Sequence, residues 1–248
     1  MRIAVIADIH GNLEAFREVL ADVHGNGIDT VICLGDVIGY GPDPEECLRL
    51  LRQEEIPLLM GNHEYAINAP GYLRRLNPDA RLSLKITRGL LSRQSLDFLG
   101  GLTKFLVSRG GRFVHACPPD SVTTYLYDPG PVRLKTIFAA LPEDICFFGH
   151  THCLTMFSGA APTQIQHEPL PAGITALQAG KRYLINAGSV GQPRDHLDHR
   201  AKYVIWDRSA MTVEVRPVTY DIEAVATKII RLGLPEFNAS RLRPTDGK

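Results

Sequence analysis

The N-terminal stretch of residues 1–12 constrains the fold most, because an apolar segment ends there abruptly in polar residues. Residues 3–7 are all apolar, which is typical of a short buried strand, and Asp8 and His10 follow them. Side chains two residues apart in an extended chain point the same way, so we expect these two to converge on one metal ion. Gly11 permits a tight turn into a helix. The stretch therefore predicts half of a metal site.

Further polar motifs follow other apolar runs and offer the missing ligands. They are Gly35-Asp36, Gly61-Asn62-His63-Glu64, His115 and Gly149-His150-Thr151-His152. Each motif alone is weak evidence, because a histidine at a strand end is more often a hydrogen-bonded polar group than a ligand. Chance would rarely place all of them at predicted strand ends, so we interpret them as one site.

The first sixty residues alternate between short apolar strands and amphipathic helices. We predict strands at 2–7, 30–34 and 57–60, and helices at 12–25 and 42–54. This alternation predicts β-α-β crossovers and a parallel or mixed sheet that is covered on both faces. Ligands bind such sheets outside the carboxyl ends of the strands, where Asp8, Asp36 and Asn62 fall.

The second half of the chain is richer in strands. We predict a hairpin at 105–107 and 112–116, helices at 131–141 and 221–232, strands at 145–148, 183–186, 203–207 and 212–217, and short strands and loops within 154–179. Two sheets packed face to face, with helices on their outer faces, would satisfy both halves. Because no repeat or linker marks a boundary, we expect residues 1–248 to form a single domain.

A helical and more basic segment at about 65–102 separates the two halves. We interpret it as a solvated helical face that packs over the core. The alternative is a cap-like excursion beside the active site, in which some of its arginines would meet substrate phosphate.

Composition argues against several classes of protein. Lys plus Arg and Asp plus Glu both number 27, so no global field attracts nucleic acid or an anionic membrane. No apolar run is long enough for a membrane span or a signal-peptide core. The five cysteines lack the pair spacings of structural zinc sites, which favours free thiols in a reducing compartment. We therefore expect a soluble, cytoplasmic protein.

The motifs together offer two aspartates, one asparagine and four histidines besides His63. Mixed oxygen and nitrogen ligands without thiolate suit Mn, Fe, Co, Ni or Zn ions. This number exceeds what one ion needs, whereas two ions bridged by a shared carboxylate would use every ligand. Paired metals of this kind hydrolyse phosphate esters by activating water and holding the phosphoryl oxygens.

On these motifs the sequence resembles the calcineurin-like metallophosphoesterases, whose metal motifs occur in the same order. Residues 186–194 read Asn-Ala-Gly-Ser-Val-Gly-Gln-Pro-Arg and add a resemblance to the smaller phosphodiesterases of the YfcE type. The resemblance spans residues 1 to about 220. It implies an α/β fold, the four-layer α/β/β/α sandwich, in agreement with the two predicted sheets.

The resemblance also implies two divalent metal ions as cofactors, manganese first, with Fe, Ni, Co or Zn as alternatives. The implied ligands are Asp8, His10 and His152 for one ion, Asn62, His115 and His150 for the other, and Asp36 as the bridge between them. His63 would bind no metal but would protonate the leaving oxygen or stabilise charge there, which makes His63 and Asp36 the expected catalytic residues. Hydroxide generated between the ions would attack phosphorus in line.

One departure from the family bears on the substrate. Its serine/threonine phosphatases continue Gly-Asp with x-x-Asp-Arg-Gly, where the second Asp orients the catalytic histidine and the Arg grips phosphate. Residues 35–41 here read Gly-Asp-Val-Ile-Gly-Tyr-Gly, so both polar groups are missing. This argues against a protein phosphatase and favours a phosphodiester, which carries less charge than a monoester. Asn12, Tyr40 and Arg194 are the candidate substrate contacts, with a surface role as the alternative for Arg194.

Other functions stay open from the sequence. The same metals could serve a phosphomonoesterase or a dinucleoside polyphosphate hydrolase. A non-catalytic, protein-binding scaffold, like the retromer subunit of this fold, is a further alternative, although His63 beside a full ligand set argues against it. We expect the partner to be a small phosphoester rather than nucleic acid or a membrane, and a homo-oligomer stays open.

Overall fold

The computed structural model describes residues 1–161, 164–195 and 198–244. The strands are β1 (Arg2–Ile6), β2 (Thr30–Cys33), β3 (Phe105–Ser108), β4 (Gly111–Val114), β5 (Ile145–Phe148), β6 (Thr155–Gly159), β7 (Gln166–Pro169), β8 (Gly173–Ala176), β9 (Arg182–Asn186), β10 (Ala201–Asp207) and β11 (Thr212–Val218). The helices are α1 (Leu13–Gly25), α2 (Pro44–Gln53), α3 (Asn62–Asn68), α4 (Pro70–Leu73), α5 (Pro78–Leu90), α6 (Arg93–Gly100), α7 (Pro131–Ala140), α8 (Ile222–Arg231) and α9 (Glu236–Ser240).

The strands form two mixed sheets, in the orders β2-β1-β10-β11-β8 and β3-β4-β5-β9-β6-β7. β1 runs parallel to β2, and β5 runs parallel to both β4 and β9. The predicted hairpin is confirmed by the antiparallel pairing of β3 with β4. Parallel central strands bring their carboxyl ends to a common edge of each sheet, so the loops that follow them meet.

Alternating side chains explain how the two sheets pack. Ile3 of β1 and Phe147 of β5 belong to one apolar cluster between the sheets. Ile6 of β1 packs outward with α1 and α2, whereas Phe148 of β5 packs outward with Phe138 of α7. Because successive residues of a strand face opposite sides, each central strand contributes to two layers of core. The predicted four-layer α/β/β/α sandwich is confirmed.

The predicted strand at 57–60 was wrong. Only an isolated bridge between Cys33 and Leu58 forms there, beside β2. Pro57 has no N–H to donate, and Met60 donates its N–H to the carbonyl of Thr103 at 2.8 Å instead. The segment nevertheless follows the edge of the sheet and delivers the start of α3 to the ends of β1 and β2.

The segment at 65–102 is helical, as predicted, and comprises most of α3 together with α4, α5 and α6. Ile67, Leu84 and Leu99 are buried in the same apolar cluster as α1 and α2. Two of its arginines make internal contacts, Arg88 with the carbonyl of Ile67 and Arg93 with Asp97. The segment thus packs over the outer face of the first sheet. Across the described ranges, no helix has the length and apolar character to cross a membrane.

Candidate metal centre

Hydrogen bonds between neighbouring loops hold the candidate ligands in place. Beyond the ends of β1 and β2, the N–H of Asp8 donates to Gly35 O at 3.0 Å, and that of His10 donates to Asp36 O at 2.9 Å. The loop after β5 joins this arrangement because His150 N donates to Asp8 Oδ2 at 3.0 Å. Three loops from both sheets are therefore locked together at one edge.

Asp8 and His10 do converge, but not for the reason expected from the sequence. The chain is no longer extended at these residues, whose φ angles are 54° and 50°. Asp36, His150 and His152 are also left-handed, with φ of 55°, 68° and 60°. Each such residue costs on the order of 1–3 kcal/mol, and strain of this kind gathers at functional sites. The left-handed turns, rather than strand alternation, aim these side chains inward.

Asp8, His10 and His152 form the first group of candidate ligands. His10 Nε2 lies 3.2 Å from His152 Nε2, which is 3.5 Å from Asp8 Oδ1. The Nδ1 atoms of the two histidines lie 3.0 Å from Ile38 O and 2.7 Å from Gln192 O. A carbonyl can only accept, so each Nδ1 carries the proton and each Nε2 presents a lone pair.

Two lone pairs facing each other at this distance repel unless a cation lies between them. Asp8 Oδ1 is buried and has no hydrogen-bond partner among the residues that the structure describes. Orphaned buried acceptors are rare and call for an explanation such as an ion. The donor set of the first group therefore fits a divalent metal ion.

The second group consists of Asp36, His115 and His150, with Asn62 beside them. His115 Nε2 lies 3.4 Å from Asp36 Oδ2, 3.2 Å from Asn62 Oδ1 and 3.3 Å from His150 Nδ1. Ligands at about 2.1 Å from one ion lie about 3.0–3.4 Å apart in octahedral or tetrahedral geometry. The second group has the dimensions of a coordination shell.

Asp36 lies between the two groups. Its Oδ2 is 3.4 Å from His115 Nε2 and 3.7 Å from His10 Nε2, which belong to different groups. Its Oδ1 accepts the backbone N–H of His63 at 2.9 Å, which fixes the orientation of the carboxylate. Asp36 thus has the position that a bridging carboxylate needs.

Burial and mutual charge shift the pKa values of the candidate ligands in opposite directions. Burial, helped by the charge of Asp36, raises the pKa of Asp8 to about 8. Burial opposes ionisation of Asp36 too, yet His115 and His63 lower the pKa of Asp36 well below its usual range. Burial lowers the pKa of His10 and of His152. Divalent cations would keep both carboxylates ionised and the imidazoles neutral, as ligation requires.

Glu64 has a role that the sequence reasoning missed. Its buried carboxylate accepts backbone N–H groups from Asp36, Val37, Ile38 and Gly61 at 2.8 to 3.2 Å. These bonds tie the loop after β2 to the start of α3. A carboxylate directly after the Asn62-His63 pair was the available signal, but only the fold shows its partners. Glu64 therefore positions Asp36 and His63 together.

His63 packs against Gly39 and Tyr40, which occupy the positions of the Asp and Arg in the phosphatase signature. A Cβ on Gly39, which has φ +86°, would lie 2.1 Å from His63 Nδ1, so only glycine fits there. The imidazole lies 4.7 Å from the rings of both His10 and Tyr40. Its Nδ1 is buried without a hydrogen-bond partner in the described part of the chain, and burial lowers its pKa. Packing holds this ring where an Asp would otherwise bind it.

Of the three candidate substrate contacts, two line a cavity of about 240 Å³ beside the ligand groups, namely Tyr40 and Arg194. Asn12 also has a structural role. Its oxygen accepts the N–H of Ala15 at the start of α1, and its amide donates to Gly191 O at 2.9 Å. Both polar ends of this buried side chain are thus engaged, and its role as a substrate contact stays a prediction.

A sequence model of calcineurin-like phosphoesterases matches residues 1–154, which include every candidate metal ligand. An uncharacterized protein of Methanocaldococcus jannaschii is 35% identical over 245 residues, which cover 97% of this chain and 96% of that protein. The family model thus covers more than half of the chain, and the similarity to the archaeal protein covers nearly all of it.

Solved structures give a consistent picture. A metallophosphoesterase from Sphaerobacter thermophilus is 32% identical and covers 98% of both chains, with a TM-score of 0.82. A hypothetical protein from Pyrococcus horikoshii OT3 is 20% identical and covers 100% of this chain and 99% of its own, with a TM-score of 0.78. The second structure supports the fold alone. The likeness therefore extends well beyond the matched residues 1–154.

Substitution Asp36→Asn should remove metal binding from both groups, because one carboxylate serves each of them. For the wild type, a divalent ion at a hundred times its Kd should raise Tm by about 5–10 °C. Thermal unfolding measures the shift in Tm, and elemental analysis of protein reconstituted with Mn²⁺ measures the metal content. Asp97→Asn, which alters an exposed carboxylate on α6, is the control. Wild-type metal content in the Asp36→Asn protein would contradict the bridging position.

Substitution Glu64→Gln should destabilise the protein by about 2–4 kcal/mol, because an amide NH₂ would face buried backbone donors. Metal content should fall as well, since the loop that carries Asp36 loses its support. Urea unfolding and elemental analysis measure the two effects, with the exposed Glu55→Gln as the matched control. Unchanged stability would show that Glu64 does not hold this loop.

Proposed function

This chain belongs to the calcineurin-like phosphoesterase family, and we propose that it hydrolyses phosphodiesters with the help of two divalent metal ions. The observation that carries the proposal is the position of Asp36 Oδ2, 3.4 Å from one group of candidate ligands and 3.7 Å from the other. A shared carboxylate between two nitrogen-rich groups is the arrangement of a two-metal hydrolase. Membership of the family supports a metal-dependent hydrolase of phosphoesters.

We propose manganese as the first candidate ion. Nitrogen and oxygen donors without thiolate suit Mn, Fe, Co, Ni or Zn, and the two groups contain no cysteine. Divalent cations bound here would supply Lewis-acid activation of water and would neutralise charge on the phosphoryl oxygens. Asn62 contributes a neutral oxygen, which limits the negative charge that faces an anionic substrate.

We propose that His63 assists the departure of the leaving oxygen by donating a hydrogen bond from Nε2, which stabilises the charge that develops there. A neutral imidazole carries one proton, and at Nδ1 that proton would have no acceptor because Gly39 packs directly against it. The tautomer with the proton on Nε2 is therefore favoured. His63 Nε2 lies 3.9 Å from Asp36 Oδ2, so the proton faces the centre where the phosphoester would lie.

The preference for a diester follows from what surrounds His63. Gly39 and Tyr40 replace the Asp and Arg of the phosphatase signature, so this loop offers an aromatic ring instead of a guanidinium. A monoester, with its extra charge, would gain most from the missing Arg. We propose Arg194, which lines the adjoining cavity, as a phosphate contact.

We further propose a small phosphoester as the substrate and the cytoplasm as the location. All five cysteines are free and four are buried, which fits a reducing compartment. The balanced net charge favours small anions caught locally over nucleic acid.

Comparing bis(p-nitrophenyl) phosphate with p-nitrophenyl phosphate tests the substrate class directly. Because both release the same chromophore, the kcat/KM values are directly comparable. We expect the Mn-loaded protein to favour the diester by roughly tenfold or more. A preference for the monoester would instead support a phosphomonoesterase.

Substitution His63→Ala should lower kcat on the diester by about 10²–10⁴-fold while leaving the metal content unchanged. His24→Ala is the matched control, since His24 is exposed and bonds Glu54 at 2.9 Å away from the centre. If Mn-loaded wild type hydrolyses no phosphoester in a broad panel and His63→Ala changes nothing, the non-catalytic scaffold is the better explanation.

A further inference from the structure

A stack of aromatic rings leads outward from the candidate metal centre. The Tyr125 ring lies on the imidazole of His150, with centroids 3.8 Å apart and an interplanar angle of 20°. Tyr127 stacks on Tyr125 at 5.2 Å and 9°. These tyrosines are 45% and 52% exposed, although neighbouring large apolar side chains of the core are buried. Exposed, parallel aromatic faces beside a site are surfaces on which planar groups stack.

Two arginines line the same cavity as the tyrosines. Arg194 Nη2 donates to Gln192 Oε1 at 2.9 Å, whereas its Nε is buried without a partner among the residues described. Arg241 lies over the ring of Phe237, 4.6 Å from its centroid. Burial and the charge of Arg194 both lower the pKa of Arg241, so the two guanidinium groups repel each other. Such a pair is stabilised when an anion lies between them.

The cavity adjoins the centre through Tyr40. The Tyr40 ring packs on His10 and on His63 at 4.7 Å, and the same residue lines the cavity. A ligand that reaches the candidate catalytic histidine can therefore extend past Tyr40 toward the tyrosine stack. The volume of about 240 Å³ lies below the 300–1,000 Å³ of pockets that enclose whole small ligands. The cavity thus has room for one part of a substrate.

We infer that this cavity is a second subsite, which binds an aromatic base on the tyrosine stack and a further phosphate group at Arg194 and Arg241. The inference rests on the proposed function and gives its substrate class: small nucleotide phosphodiesters that carry an additional phosphate. Stacking accepts any base because every base has a π face, while guanidinium groups match phosphate geometry.

Other ligands match the cavity less well. A purely apolar ligand would leave two arginines without counter-charge, and an inorganic anion would leave the exposed tyrosines uncovered. A long nucleic acid is disfavoured because the first turn of α5, at Asp79, and the α9 region, at Phe237, both line the cavity. The substrate is therefore nucleotide-sized, and its base and additional phosphate occupy this cavity.

Equilibrium binding to the Mn-loaded protein tests the subsite independently of turnover. Titration calorimetry would compare thymidine 3′,5′-bisphosphate, thymidine 5′-monophosphate and 2-deoxyribose 5-phosphate. We expect affinity to fall about tenfold when the second phosphate is removed and about tenfold again when the base is removed.

Variants separate the two parts of the subsite. Tyr127→Ala should lower the affinity for both nucleotides about tenfold and leave the affinity for 2-deoxyribose 5-phosphate unchanged. Tyr127→Phe should bind all three probes as the wild type does. Arg241→Gln should reduce the affinity for the bisphosphate to that for the monophosphate. Arg243→Gln is its matched control, because Arg243 pairs with Glu223 at 2.8 Å instead. Unchanged affinity for 2-deoxyribose 5-phosphate also shows that each variant is folded.

Different results would overturn the second subsite and the proposed function. Equal affinity for the three probes, absence of binding, or variants that bind like wild type would overturn the subsite, even if bis(p-nitrophenyl) phosphate is hydrolysed. If only one of the two variants loses affinity, the part of the subsite assigned to the other residue is overturned. Retained discrimination between the probes without any phosphoester hydrolysis would overturn the proposed function alone.

Discussion

The convergence of four backbone N–H groups on the carboxylate of Glu64 is the interaction on which the candidate centre depends. Buried donors without acceptors are costly, so the loop after β2 can take its left-handed course only if something accepts these bonds. Glu64 does so from the first turn of α3, one residue after His63. Glu64 thereby fixes the positions of Asp36, the candidate bridge, and His63, the candidate hydrogen-bond donor, relative to each other.

The close packing of the candidate ligands also governs the electrostatics of the centre. Carboxylates and imidazoles with their lone pairs directed at one another are brought within 3.2 to 3.9 Å and removed from water. Burial raises the pKa of Asp8, whereas the nearby imidazoles of His115 and His63 lower that of Asp36. The left-handed backbone at Asp8 and His10 adds strain at the same cluster, as is common at functional sites.

Periodicity in the sequence was enough to predict the four layers and the edge of the sheets where ligands gather. It also picked out the seven polar side chains that the fold brings together, because they end apolar runs. It misplaced a strand at 57–60, where Pro57 lacks a donor, and it mistook left-handed turns for extended chain. Tyr125 and Tyr127 escaped notice because no pattern marks them, and the role of Glu64 could not be inferred because three of its four backbone partners, at residues 36–38, are distant in sequence.

The contact between Gly39 and His63 has a consequence for how this branch of the family can evolve. A side chain at position 39 would collide with the imidazole and would also have to adopt φ +86°. An aspartate cannot enter there while the loop keeps its present course, so no single substitution restores the phosphatase signature. The loop and the ring would have to move together, so an acidic side chain at position 39 also requires a different placement of the His63 imidazole.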